Sequence, residues 1–573
     1  MRSGATFFLE PGEPAQRRYE ALRAYLVDEL SAAQAGERYG YSPATVRQMA
    51  ADLRAGRANF FVSSKPGPKG PRKSGGLRQR VLELRAQGHS VSEIAEALVA
   101  EGTPLSAQTV WSMLDSDGIE RLARRPPAQR GAAPRLALPK AARLKDWPAP
   151  VSMPCDHAGL YLLLPAMADL GIDRLVADAG FPGTSQLSSW HSMSSLLLHK
   201  LARTPRHAHT TLLADDPGLG LAVGLTALPK ATHLGTYSYR VRRAANEALL
   251  GGLARRLVEL GLATGTDGFD LDFHAIRHHG DDAPLEKHYV PKRSQRTRSV
   301  LCFFAQDHAA GEMVYANADI TKAEQAGEII AFADYWQRVS GADPQLLVFD
   351  SQLTTYPVLN EIAGRQIRWL TLRQRGANVL EHLNALPASA WTTLRINRSG
   401  RYRRPHIYEE LITLKGIDAR IRQIAVRNIG RDEPTLLITN DLSTPAKLLF
   451  ARYAERMMIE NELDAYIGGF HLDALSSGLP LNVDVDTTLT VVAGNIYRLF
   501  ARGLPRYETA TPDRLWRHFL DTTGTVHVHH DHIAVEFNIR TYSPVLIDAG
   551  YAELNTPIPW WQGRTLQFSF PPR

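Results

Sequence analysis

Residues 268–276 read GFDLDFHAI, and residues 345–351 read QLLVFDS. In the first stretch Phe269, Leu271 and Phe273 alternate with Asp270, Asp272 and His274, the pattern of a strand with one apolar and one polar face. The second is a short continuous apolar run ending on Asp350, which predicts a fully buried strand. Between them, SVLCFFAQD (299–307) and EMVYANADI (312–320) read as strands, and AEQAGEIIAFADYWQRVSG (323–341) as an amphipathic helix. TTYPVLNEIAG (354–364) returns as a helix and QIRWLTLR (366–373) as a fifth strand. The order strand, strand, strand, helix, strand, helix, strand predicts an α/β core around a central sheet. A β-rich insertion follows at 386–440, with alternating TTLRI and TLLIT. Ser443 or Thr444 then caps, and Pro445 opens, a helix that includes ARYAERMMIENELDAYI (451–467).

Upstream, the chain changes character. Residues 151–263 have helical periodicity, are rich in Leu, Ala and Met, and carry no acid cluster. Two short modules precede them. In 1–62, Tyr19–Leu30 and Ser31–Tyr39 read as helices, Gly40 and Tyr41 turn the chain, and Ser42-Pro43 starts a third helix with Val46, Met49 and Leu53 as its buried stripe. This is a helix-turn-helix pattern, in which the last helix enters the major groove, so Thr45, Arg47, Gln48 and Arg54 are candidate DNA contacts. A second module, 77–125, repeats the design with a capping box at Ser90/Glu93 and a cap at Ser106. Basic Pro/Gly-rich linkers, 63–76 and 126–150, separate these parts. The core divides into 264–385, the insertion 386–440 and 441–510; the tail 511–573 is β-rich, with TGTVHVHHDHIAVEFNI reading as a hairpin.

The charge distribution agrees with a polyanion-binding front. The 573 residues carry a net +7, yet residues 1–150 hold 23 Lys+Arg against 15 Asp+Glu, a local +8, and the remainder is −1. Two distant cysteines, Cys155 and Cys302, offer no zinc spacing or disulfide framework, which predicts a reducing cytoplasm. The N-terminal sequence does not read as a signal peptide, and no apolar run reaches the ~18 residues of a membrane span. No P-loop motif occurs, so no nucleotide cofactor is expected.

Asp272, Asp350 and Glu460 each come from a different element. Two-metal phosphoryl transfer needs carboxylates converging in this way, with hard divalent ions holding the attacking and leaving oxygens. On a helix, Tyr453, Arg456, Glu460 and Ile467 fall on one stripe, and Arg456, one turn from Glu460, is placed to pair with it or to clamp a phosphate. Asp270 and Asp267 remain alternative first acids, and Glu462 and Asp464 alternative third acids.

Tyr453-x2-Arg456-x3-Glu460 resembles the third-acid signature of bacterial insertion-sequence DDE transposases, in the subgroup marked Y-x2-R-x3-E-x6-K. LDFH around Asp272 and LLVFDS around Asp350 resemble that family's first and second acids, and a β-rich insertion before the third acid also matches. The similarity covers roughly 264–500. It implies a multidomain α/β chain with an RNase H-like catalytic core, two Mg²⁺ or Mn²⁺ ions on Asp272, Asp350 and Glu460, and cleavage at transposon ends followed by strand transfer into target DNA. It also implies double-stranded DNA as partner and a homodimer on paired ends. The signature's lysine is replaced by Ile467, so a phosphate contact there is absent or supplied by another residue, with Arg452 and Arg498 as candidates. The rival readings are a non-catalytic DNA-binding regulator and a metal-dependent nuclease without strand transfer.

Other candidates are weaker signals. LEKHYVPKRSQRTRS places Lys287, Lys292, Arg293, Arg296 and Arg298 just after the first acid, where they would grip phosphates. Arg373 and Arg375 follow the fifth strand. His527, His529, His530 and His532 invite a metal reading, but their hairpin setting, with Asp531 as the one neighbouring acid, favours surface histidines.

Overall fold

The structure, a computed structural model, describes residues 6–55, 77–87, 89–117, 119, 149–205, 211–278, 285–290, 295–350, 355–395, 404–430, 433–474, 479–538 and 540–570. Most of both predicted linkers, together with Lys292 and Arg293, lies outside the described residues. The chain forms two compact units, Met1–Leu136 and Ala137–Arg573.

The first unit contains two small helical modules with separate cores. Pro14–Leu26, Ala32–Tyr39 and Pro43–Arg54 close on Ala21, Ala24, Ala35, Tyr39 and Val46. Ser31 and Gln34 form a reciprocal capping box, and Ser42 caps the third helix through the Thr45 amide. Gly40 ends the second helix at φ 74°, a left-handed turn suited to glycine. The buried stripe of the third helix is Val46 and Ala50; Met49 is half-buried and Leu53 exposed, so the expected stripe is rotated by about one residue. Arg78–Ala86, Val91–Ala100 and Ala107–Ser116 form the second module, with the Ser90/Glu93 capping box in place.

The second unit is mixed α/β with two sheets among the described residues. Its strands are β1 (Val151–Cys155), β2 (Phe269–Arg277), β3 (Lys287–Val290), β4 (Gln295–Asp307), β5 (Met313–Asn317), β6 (Leu346–Phe349), β7 (Arg368–Leu372), β8 (Thr392–Thr393), β9 (His406–Ile412), β10 (Ile421–Arg427), β11 (Thr435–Thr439), β12 (Gly524–Val528), β13 (His532–Phe537), β14 (Thr556–Pro557) and β15 (Thr565–Ser569). The large sheet runs β3-β4-β2-β6-β7-β11-β10-β9-β8, and β5 also pairs with β4. β2, β6 and β7 are parallel neighbours, while β4 and β5 are antiparallel. The smaller sheet runs β1-β12-β13-β15-β14.

Two expected boundaries do not separate cores. β1, at the start of the helical segment, is the edge partner of β12 in the C-terminal tail, and one hydrophobic cluster runs from Met153 through the β2 strand to Phe568. The insertion is not a separate body either. β11 pairs antiparallel with β7, so the inserted strands lengthen the central sheet at its edge.

The two faces of β2 meet different partners. Phe269 packs on Phe332 and Trp336 of the helix Glu328–Ser340. The other face lies under the helices Ala446–Glu455 and Met457–Phe470: next to β2, Val348 of β6 packs with Leu370, Ala446, Leu449 and Tyr453. Gly268 admits β2 to this position. Its φ is +78°, and a Cβ there would stand 2.2 Å from the Leu346 carbonyl oxygen.

Candidate active site

Register brings the first two acids together. Residues 269, 270 and 271 of β2 pair in parallel with 347, 348 and 349 of β6. One step further sets Asp272 beside Asp350 on the same face, with strands spaced about 4.8 Å apart. The third acid descends from the helices covering that face, which do not form one continuous helix as the sequence suggested. The chain breaks between Ala446–Glu455 and Met457–Phe470 at Arg456, where Arg456 N bonds Tyr453 O at 3.2 Å and Ile459 N bonds Arg456 O at 3.1 Å. These are i to i+3 bonds, a local tightening between the two helices. Ile459, Leu463, Tyr466 and Phe470 anchor it to the core, and Glu460 stands off that face, 44% exposed. Ile467 packs against the core as an apolar residue.

Arg456 joins the acids. Its Nη2 donates to Glu460 Oε1 at 2.6 Å, and its Nη1 lies 3.7 Å from Asp272 Oδ1, buried and without a hydrogen-bond partner. The Tyr453 ring lies 5.8 Å from the guanidinium. Burial pushes the Asp272 carboxyl up to about 6; Arg456 opposes that shift, while Glu460 and Asp350 add to it. Burial likewise raises the Tyr453 hydroxyl to about 12, with Asp350 and Glu460 contributing. Asp272, Asp350, Glu460, Arg456 and Tyr453 therefore share one electrostatic neighbourhood.

The neighbouring charges are already matched. Asp270 is fully buried, accepting from Arg452 Nη1 at 2.6 Å and from His308 Nδ1 at 2.8 Å; His308 Nε2 reaches Glu455 at 3.3 Å. Asp270 is thus bound in a structural cluster, which argues for Asp272 as the first acid. Glu462 pairs with Arg498 at 2.6 Å, and Arg498 also meets the buried Glu312, so Glu462 is tied away from the site. Asp267 offers its carbonyl to Arg452. Arg452 and Arg498, the candidates for the missing phosphate contact, are paired here with Asp270 and Glu462.

The signal for the Arg452 tie lay in the spacing. Arg452 and Arg456 are four residues apart on the helical segment, a rise of about 6.0 Å. Asp270 and Asp272 are two apart on a strand, about 6.6 Å. The two rows match step for step, and His274 continues the row to Asp473 at 2.5 Å. His308, on the turn after β4, carried no comparable cue.

Chemically, three carboxylates from three elements, one of them held reluctantly ionised, suit a hard divalent cation, and the unpartnered Arg456 Nη1 shows that the guanidinium alone does not satisfy them. As the side chains stand, no three His, Cys, Asp or Glu among the described residues are gathered tightly enough to hold an ion; Arg456 bridges two of the acids instead.

The other predicted residues fall elsewhere. Lys287, Arg296 and Arg298 are exposed on the β3–β4 ribbon, with Lys287 directly opposite Arg298. Asp272 pairs with Phe304, and alternation from Phe304 to Arg298 keeps both basic residues of β4 on the acidic face, six residues or roughly 20 Å from the site. Thr45, Arg47, Gln48 and Arg54 are exposed on the helix Pro43–Arg54; Thr45 also bonds Ser42, and Gln48 bonds Asp52. Arg373 is held by Gln423 and Arg375 by Glu433 at 3.1 Å, which leaves them as braces of the extended sheet. His527 pairs with Glu536, His532 with Asp531, and His529 stacks on His532 at 4.2 Å; His530 is exposed, so the four do not converge.

No protein-family model matches the chain, and no curated protein sequence matches it.

Proposed function

We propose that this chain is a DDE-type DNA transposase that cleaves DNA at element ends and joins the freed strand to target DNA. The observation that carries the reading is the meeting of Asp272 and Asp350, side by side in parallel register, with Glu460 from the covering helix. Support comes from the order β5-β4-β2-β6-β7, whose first strand in sequence is central, as an RNase H-like core requires. The exposed Arg47, Gln48 and Arg54 on a capped third helix support helix-turn-helix binding of duplex DNA by the first unit.

Asp272, Asp350 and Glu460 would hold two Mg²⁺ or Mn²⁺ ions, which when bound supply charge stabilisation to the attacking and leaving oxygens. The protein's own part is positional. The sheet sets Asp272 and Asp350 on half-buried ground, Arg456 ties Glu460 to the same neighbourhood, and its buried N–H would be offered to a scissile phosphate oxygen. Water, and then a 3′-hydroxyl, is the nucleophile, so no covalent protein intermediate is needed.

The test is incubation of the protein with the DNA flanking its own gene and Mg²⁺. Nicked ends and joined products are expected. Nicking without joining would indicate a nuclease, and binding without either would indicate a regulator.

A further inference from the structure

A second cluster lies past the far end of the Glu460 helix. Arg203 donates to the carbonyls of Gly468 and Gly469 at 2.7 and 2.9 Å, capping that helix, and pairs with Asp513 at 3.0 Å. Asp513 belongs to the short helix Pro512–Leu515, whose Pro512 packs on Gly469 so closely that an added Cβ would stand 2.7 Å away. From Glu460 to Gly469 is nine residues, about 14 Å of helix.

The chain then widens into a π-turn, Trp516–Leu520, closed by Asp521 N to Trp516 O at 2.9 Å. Such turns are uncommon and concentrate at functional sites. This one presents His518, whose ring stacks on Tyr542 at 3.9 Å and 7° while its Nδ1 bonds the Tyr507 hydroxyl at 2.7 Å. Arg514 lies over the Tyr507 ring at 4.5 Å. Arg540 braces the turn by donating to the carbonyls of Asp521 and Arg517. Arg506, Arg514 and Arg517 are exposed, and Arg506 is held with φ at 68°, a costly conformation for a non-glycine residue.

Five guanidiniums (Arg203, Arg506, Arg514, Arg517 and Arg540) stand here among three nearby carboxylates: Asp513, Glu508 and Asp521. Asp513 is shared between Arg203 and Arg517, and Glu508 accepts from the Arg506 backbone amide. Burial and then Arg514, Arg517 and Arg540 lower the His518 pKa, in keeping with a positive local field. Arg514, exposed and lying over the Tyr507 ring, suits a phosphodiester chain, because the ring holds the guanidinium plane while its edge stays open to a phosphate.

We propose that the face formed by Arg506, Arg514 and Arg517 around the rings of Tyr507, His518 and Tyr542 is a second DNA contact, taking the sugar–phosphate backbone of the substrate beyond the cleaved bond. The inference rests on the DNA-processing reading above and deepens it.

The experiment measures binding of a 40-base-pair duplex to the full chain across a salt series. The comparison is between wild type and the variant Arg506→Gln/Arg514→Gln/Arg517→Gln, with metal-dependent nicking by wild type assayed in parallel. Each phosphate contact contributes about 0.9 to the slope of log K against log [salt], so the slope should flatten by between about 1 and 3. A change smaller than about 1 overturns the proposal. If the triple variant melts early, Arg514→Gln and Arg517→Gln are measured singly; at least one should flatten the slope by about 0.9, and an unchanged slope in both overturns the proposal. A flattened slope with no nicking by wild type keeps this contact and sinks the catalytic reading. Nicking with an unchanged slope does the reverse, and a wild type that binds no DNA sinks both.

Discussion

Replacing Arg452 by Met should loosen the helices that carry the third acid without touching any of the three acids. Asp270 is fully buried and pairs with Arg452 at 2.6 Å and His308 at 2.8 Å. Removing one partner of a buried ion pair costs about 3–5 kcal/mol, because the remaining charge is stranded. His308 keeps one hydrogen bond to the carboxylate, which places the cost at the lower end, about 3 kcal/mol. At 1.4 kcal/mol per factor of ten, local opening becomes roughly 100-fold more frequent. The assay is hydrogen exchange of the metal-free protein, resolved to the amides of Ala446–Glu455 and Met457–Phe470. Adding Asp270→Asn removes the stranded charge while leaving an acceptor for His308. Exchange in the double variant should return to within about tenfold of wild type. Two results would refute the reasoning: wild-type exchange in the single variant, or a double variant faster than the single.

Asp272→Asn, Asp350→Asn and Glu460→Gln should each lower metal-dependent nicking by ~10³-fold or more while duplex binding persists, read by a nicking assay beside a binding titration. The Asp272 pKa also sets a pH dependence. The native carboxyl titrates at about 6 against an ordinary 3.8, so the native state binds the proton more tightly and stability falls as pH rises between those values. Its full cost, on the order of 3 kcal/mol, is present above pH 6. Asp272→Asn should therefore raise the melting temperature of the metal-free protein at pH 7.5 and leave it nearly unchanged at pH 3.5. On the β3–β4 ribbon, Lys287 and Arg298 oppose each other at a cost to the pairing. Changing Lys287, Arg296 and Arg298 to Gln should flatten the salt dependence of DNA binding by about 2 to 3 in slope.

The parts of this fold that were legible in the sequence are those specified by local pattern. Alternation gave β2, the apolar run gave β6, and Ser-Pro and Ser-x-x-Glu gave the helix starts at Pro43 and Val91, because side-chain periodicity and capping act within a few residues. What was not legible depends on distant pairing. The edge union of β1 with β12 joins residues about 370 apart, and either strand alone is unremarkable. The insertion's attachment to β7 is equally invisible, since β11 would read the same in a separate sheet. The break at Arg456 escaped for a different reason. MMIENELDAYI continues the helical period without a Pro or Gly, so the interruption follows from the side-chain ties on each side and not from backbone propensity.

Those ties also explain which acid of the β2 row is left for chemistry. Asp270, Asp272 and His274 share a face of the strand, so alternation alone does not separate them as candidates. Their partners do. Asp270 has a guanidinium and an imidazole, and His274 has Asp473. Among the described residues Asp272 has the amide of Phe273 and a share in Arg456, which is hydrogen-bonded to Glu460 and stands 3.7 Å away. A fold that neutralises the charges on either side of Asp272 so closely has the means to neutralise Asp272 too. Leaving it raised in pKa, with Asp350 and Glu460 adding to the shift, is destabilising for the isolated chain, a cost that a bound cation would offset on the proposed reading.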